Sequence, residues 1–399
     1  MADVQGTVAS GFEGVREAFE RNFDEHGDVG AAYSLYVDGK CVVDLVGGVT
    51  AAGGADPYGR DALQLVFSST KGATAMCAHI LADRNELDFD APVTEYWPEF
   101  GAAGKADVPV SWLLSHQVGL IDVDRKMTLA EALDWDAVTT ALAESAPVWP
   151  PGTQHGYHAV TYGWLVGEVV RRISGKSLGA FFATEIAEPL GLDFWIGTPE
   201  RVHDRVVPVI PLRPPPGLLP ELDNATEAGG SAPSLADMLS TFLGPDNLLG
   251  RALSAPGGAF SDGEEWNLPE VWSAEIPAAN GITNARSMAR MYAAFIGEVD
   301  GIRLVSPDTL AKALVRQVFG ADSVLFFEIP FGLGFMLNGG LMALGSDTAF
   351  GHFGAGGSLG FADPDRGIAG AYVMNKMDIG LTGDPRSSTL VAASFAAIS

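Results

Sequence analysis

Cysteine is nearly absent from this chain: only Cys41 and Cys77 occur in 399 residues, both in apolar surroundings. Two thiols cannot build a disulfide framework or a thiolate metal cluster, so a reducing compartment is expected and the core must carry the stability. Histidine is also sparse. The seven present show no H-x-x-x-H or H-E-x-x-H spacing, so neither a metal nor another cofactor is expected. Positive charge is short, with 24 Lys and Arg against 50 Asp and Glu, a formal net charge of −26. That balance argues against nucleic acid or an anionic membrane as a partner. No stretch approaches the roughly 20 uninterrupted apolar residues of a membrane span. The opening MADVQGTVASGFEGVREAFERNF has no basic stretch leading into an apolar one, so a signal peptide is not expected. The expectation is a soluble cytoplasmic protein. Internal repeats and low-complexity tracts are missing too.

What is present describes a globular chain, 47% apolar and 19% charged. Phe12, Val15, Phe19 and Phe23 recur at helical spacing within residues 9–25. The run AAYSLYVDGKCVVDLVGGV then reads as two strands about Asp38-Gly39, a hairpin signal. Helices are expected over 70–84, 108–115, 129–144, 159–174, 178–188, 234–243, 285–297 and 306–314. The proline-rich segment 206–224 reads as a stiff surface loop. Strands return at 330–337, 347–353, 358–363 and 368–375, before a helix at about 383–397. Hairpin connections at both ends imply one α/β (α+β) sheet, mostly antiparallel and built from both chain ends. We therefore expect a sheet lobe of residues 1–66 and 320–399 and a mainly helical lobe of residues 67–319. The active site would lie in the cleft between them.

The chemistry is concentrated in LVFSSTKG, residues 65–72, where a strand-like run gives way to a helical one. Ser68 and Lys71, three residues apart, fall on one helix face. A serine hydroxyl is a weak nucleophile until a neighbour takes its proton. A desolvated lysine has the lowered pKa that suits it to that task. The plainer reading makes Ser68 an N-cap and Lys71 a surface residue. Against it, Lys71 is the one lysine of seven with serine at −3, and it sits in an apolar stretch.

Two further segments bear on the choice: WPPGTQHGYHAVTYGWLVGEVVRRISG (149–175) and the glycine-dense FGHFGAGGSLGFADPDRG (350–367). Ser68-x-x-Lys71, Tyr157 and His352-Phe353-Gly354, in that order, resemble the penicillin-recognising serine hydrolases. These comprise class C β-lactamases, D-alanyl-D-alanine carboxypeptidases and the family VIII carboxylesterases. LLSHQVGL (113–120) and IPAANGITNARSMARMYAAF (276–295) extend the resemblance almost end to end. It implies a β-lactamase/transpeptidase-like fold, with Ser68 as the acylated nucleophile and Lys71 and Tyr157 sharing proton transfer. It also implies an oxyanion hole from the Ser68 and Ala355 amides, with His352, Phe353 and Gly354 binding substrate from the strand side. His116 and His158 are expected to hold turns.

Two departures steer the substrate away from lactams. Tyr157-His158-Ala159 lacks the asparagine of the family's Y-x-N, and no lysine precedes Thr-Gly or Ser-Gly. A small-molecule ester, short acyl or aryl, becomes the expected substrate. Acyl transfer, and lactam or peptide amide hydrolysis, are the alternatives on the same scaffold; a sensor that had lost catalysis would not be expected to keep Ser68, Lys71 and Tyr157. Gly356-x-Ser358-x-Gly360 also satisfies the G-x-S-x-G nucleophile elbow. That elbow needs a helix after the serine and a histidine downstream, and no histidine follows His352. Trp149, Trp266, Trp272 and Phe353 are candidates for pocket walls, with core packing the competing role for each tryptophan.

Overall fold

Strands from the two ends of the chain meet in one sheet. The computed structural model describes residues 2–212, 244, 247–261, 263–340, 342–378 and 383–398. The large sheet contains β1 (Val4–Val8), β2 (Gly30–Val37), β3 (Lys40–Gly48), β8 (Met336–Leu337), β9 (Phe350–Phe353), β10 (Leu359–Asp363) and β11 (Ile368–Met374). Its order is β1-β3-β2-β11-β10-β9-β8, with every neighbouring pair antiparallel. The β2–β3 turn is the expected Asp38-Gly39, both at positive φ, as the tightest hairpin turns require.

Helices cover both faces. Along β10, Gly360 lies against Tyr292 and Met288 of α4 (Ala285–Ile296), and the next residue, Phe361, meets Phe395 of α5 (Pro385–Ala397). Successive strand residues point to opposite faces, so α4 and α5 lie on opposite sides. The helix α1 (Glu13–Glu25) packs against α5. Burial on both faces explains why β11 is an unbroken buried run rather than an alternating one.

A second sheet of four short strands lies beside the first: β4 (Leu63–Leu65), β5 (Phe194–Trp195), β6 (Val206–Val207) and β7 (Ile282–Thr283), ordered β5-β7-β4-β6. Directly after β4 comes the helix α2 (Thr70–Asp83), whose residues are buried from Thr70 to Leu81. It packs against α3 (Thr161–Ser174). Both are central helices, and α2 has no solvated face to make it amphipathic.

Several elements differ from the sequence reading. The 129–144 helix is two, Leu129–Ala132 and Trp135–Glu144, because Asp134 caps the second through the Ala137 amide. The 178–188 helix becomes Leu178–Phe182, a π turn and Glu188–Leu190. Within 330–337 only Met336–Leu337 is strand, and β1 with β5, β6 and β7 was not anticipated. Residues 234–243 and most of 206–224 lie outside the described residues. Among the described residues no helix is long and apolar enough to cross a membrane.

Candidate active site

Ser68 sits on a single 3-10 turn, Phe67–Ser69, between β4 and α2. Phe67 has φ +44°, a conformation that non-glycine residues rarely adopt and that functional turns tolerate. The turn is braced from behind. Gly281 accepts from the Val66 amide at 2.9 Å and donates to Thr70 Oγ1 at 2.9 Å. Asn280 beside it accepts from the Ile276 amide and donates to the Val271 and Ala274 carbonyls, fixing the 271–280 loop.

Lys71 is fully buried one helical turn beyond Ser68. Its Nζ lies 3.0 Å from Ser68 Oγ, 2.6 Å from the Ala159 carbonyl and 3.1 Å from the Ala278 carbonyl. Burial holds its pKa well below the ordinary lysine range. Among the described residues, no carboxylate pairs with it. The amine can become neutral without stranding a contact: two N–H groups then serve the carbonyls, which can only accept, and the lone pair is left for the serine proton.

The Tyr157 ring stands over the amine, its centroid 4.7 Å from Lys71 Nζ. Burial raises the phenol pKa, while a hydrogen bond with Ser68 acts in the opposite sense. The segment carrying Tyr157 is neither helix nor strand, so its amides need partners elsewhere. His116 supplies two: its carbonyl accepts from the Gly156 amide and its Nδ1 from the His158 amide at 3.1 Å. The His158 ring turns back to the Gly156 carbonyl at 2.7 Å. Both histidines hold turns, as expected. Asp322 supplies the third partner, which the sequence did not reveal.

On the strand side, β9 delivers His352, Phe353 and Gly354 to the turn that carries Ala355. Among the described residues, neither the Ser68 nor the Ala355 amide has a backbone acceptor. An oxyanion hole would require such unspent N–H donors. The same turn is tied into the fold by Arg386, buried between Asp28 and Asp384, which donates to the Gly356 carbonyl at 2.5 Å. Gly354 is required by close approach: a Cβ there would lie 2.2 Å from Ser358 Oγ and 2.3 Å from the Val66 carbonyl.

His352 is 1% exposed, its ring 6.0 Å from that of Tyr157. Its Nδ1 lies 2.7 Å from the Phe353 carbonyl, a contact only a protonated Nδ1 can make. That leaves Nε2 as a bare acceptor. Burial pushes the imidazole down to about 3, so it carries no charge at neutral pH. Phe353 is also buried, as are Trp149, Trp266 and Trp272. Trp266 stacks on Phe260 and meets Phe67 edge-on. All four therefore pack in the core.

Ser358 is fully buried, donating to the Val66 carbonyl at 2.8 Å and lying 3.0 Å from Ser69 Oγ. A strand follows it, not a helix. The G-x-S-x-G match is structural.

A sequence profile of the family described as Beta-lactamase matches residues 16–386. The chain is 37% identical over 384 residues to the esterase/beta-lactamase LipL of Mycobacterium tuberculosis, covering 94% of this chain and 83% of that one. Among solved structures it is similar to a family VIII carboxylesterase at TM-score 0.85 and 36% identity, covering 99% of this chain and all of the other. A penicillin-binding protein homolog from Caulobacter crescentus aligns at TM-score 0.82 and 39% identity, with the same coverage.

Proposed function

The chain belongs to the beta-lactamase family, and from that membership we propose that it is a serine esterase cleaving short acyl or aryl esters through an acyl-enzyme on Ser68. The observation that carries this reading is the placement of Lys71 Nζ between Ser68 Oγ and two carbonyls, with no counter-charge among the described residues. Neutral Lys71 takes the hydroxyl proton as Ser68 Oγ bonds to the ester carbonyl carbon. The carbonyl oxygen becomes an oxyanion held by the Ser68 and Ala355 amides. As the tetrahedral species collapses, the C–O bond to the leaving alkoxide breaks and Tyr157 donates it a proton. The proton held by Lys71 replenishes Tyr157. Water then attacks the acyl carbon, losing its proton to Lys71, neutral again after replenishing Tyr157, and Ser68 leaves with that proton restored.

Similarity to an esterase/beta-lactamase and to a family VIII carboxylesterase supports the reaction class. The residues around the cleft support an uncharged substrate. Neutral His352 offers a carboxylate no cation, and Ala159 has no amide to bind a lactam's side chain. Lactam hydrolysis is the second reading, favoured by the double description of LipL. It is expected to run far below the ester rate. Acyl transfer differs only in the group that accepts the acyl chain, and product ratios with added alcohol measure it.

In this reading residues 1–66 and 320–399 form the sheet side of the cleft and 67–319 the helical side, and the protein works in the cytoplasm, where Cys41 and Cys77 stay unpaired. The test is hydrolysis of p-nitrophenyl butyrate by the wild type and Ser68→Ala, with circular dichroism on both. Loss of at least ~10⁴-fold in kcat by a folded mutant is expected. A fully active mutant would sink the mechanism and return attention to Ser358.

A further inference from the structure

Tyr157 must hold its hydroxyl in place from an irregular stretch of chain, where no helix or sheet ladder fixes the backbone. Its amide is held by a residue 165 positions away. Asp322 Oδ1 accepts from the Tyr157 amide at 3.0 Å and from the Val324 and Leu325 amides at 2.8 Å each. The carboxylate is 1% exposed, and its Oδ2 has no partner among the described residues. Burying a charge this deeply is costly unless its hydrogen bonds are retained. Here one oxygen takes all three donors.

The two segments are joined on either side of that contact. The Ser323 amide donates to the His155 carbonyl at 3.0 Å. Gly156 allows the approach, since a Cβ there would lie 3.0 Å from Val324 Cγ2 and 3.3 Å from Ser323 Cβ. The loop that carries Asp322 is itself closed, with the Asp322 amide on the Phe327 carbonyl and the Phe326 amide on the Asp322 carbonyl. It forms a rigid clip rather than a free strand end.

We propose that Asp322 is a positioning residue for the reaction: its carboxylate clips the 322–325 loop to the Tyr157 backbone and so sets where the phenol stands over Lys71. The proposal rests on the esterase reading above, in which Tyr157 transfers protons. It also accounts for a detail of the site. The Asp322 charge acts on the phenol in the sense that keeps it protonated. A phenol kept in that form leaves Lys71 to take the serine proton first.

A double-mutant cycle tests it. Kinetics with p-nitrophenyl butyrate are measured for Asp322→Ala, Tyr157→Phe, the double variant and Asp322→Asn, each checked by circular dichroism. Asp322→Ala is expected to lose about 100-fold in kcat with KM within a few-fold, the scale of a mispositioned catalytic group. Asp322→Asn keeps an acceptor oxygen and is expected to recover most of that loss. In the Tyr157→Phe background, removing Asp322 is expected to cost no more than about twofold, because its effect runs through the phenol. Full kcat in a folded Asp322→Ala, or losses that multiply in the double variant, would overturn the inference. If Tyr157→Phe alone keeps wild-type turnover, it is the proton-transfer reading that fails. Should Asp322→Ala not fold, Asp322→Ser replaces it in the cycle, with the same two outcomes, since a serine hydroxyl is too short to serve all three amides.

Discussion

Two lysines in this protein are completely buried, and they do different jobs. Lys71 Nζ contacts two carbonyls and one hydroxyl. Lys105 Nζ contacts three carbonyls, those of Ala102, Ala143 and Ser145, at 2.8, 3.0 and 2.6 Å. A carbonyl has no proton to give. Lys105 can satisfy all three acceptors only as an ammonium, and its pKa, lowered by burial to about 8, leaves it charged at neutral pH. There it ties the 102–105 turn to the end of the helix Trp135–Glu144. Lys71 has its third contact to a hydroxyl and, among the described residues, no carboxylate partner, so it can shed a proton and keep all three contacts. In the proposed mechanism one oxygen, a hydroxyl rather than a carbonyl, separates a base from a brace: to act as a base a buried lysine needs a neighbour able to give it a proton.

The sharpest way to break this contrast is to replace each amine with an apolar chain of similar length. Lys71→Met is expected to lose at least ~10³-fold in kcat while still folding. Lys105→Met is expected to keep kcat within a few-fold but melt at lower temperature, because three buried carbonyls lose their donor. Similar kinetic losses in both variants would erase the distinction.

The burial that lowers the pKa of both lysines acts on the imidazoles as well. Burial pushes His79 down to about 4 and His158 and His352 to about 3. Each stays neutral in the fold but takes a proton on unfolding once the pH drops below the ordinary histidine value of about 6.5. The unfolded chain then binds more protons, so stability is lost as pH falls from about 6.5 toward 3. At pH 5 the loss is on the order of 2 kcal/mol per histidine. Thermal melts from pH 7 to 4.5 measure it, and a constant Tm across that range would contradict the neutral assignments.

The smallest expected effect belongs to Ser358→Ala. Its hydroxyl bonds the Val66 carbonyl and Ser69, so stability should fall by about 1–3 kcal/mol with kcat changed only a few-fold. A loss as large as that of Ser68→Ala would make Ser358 a nucleophile after all.

The legible parts of this molecule were those with local periodicity or fixed spacing. Ser68 and Lys71 sit one turn apart on the chain, so their meeting needed only a helix. The Asp38-Gly39 hairpin and the strand pair about Gly356 were readable from turn chemistry. The two-residue strands β5, β6 and β7 are too short to alternate, and β1 is largely exposed, so neither carried a pattern. The break at Leu133-Asp134 is a cap competing with an apolar stripe that runs through it. Asp322 was invisible because its partner lies 165 residues away. Lys71's carbonyl partners were hidden for another reason, since a backbone oxygen has no letter in the sequence.

The strand order has a consequence for how the protein comes into being. The last strand, β11, sits between β2 and β10 in the middle of the sheet. A chain emerging from the ribosome holds Ser68 and Lys71 long before it holds Ala355, and it cannot close the sheet until Met374 is out. Early strands must therefore wait with an open edge, exposed to mispairing, and the long-range closure that follows is slow. The constellation stays incomplete until that closure: no growing chain shorter than about nine-tenths of the sequence can bring Ala355 and the closing strand β11 to Ser68 and Lys71.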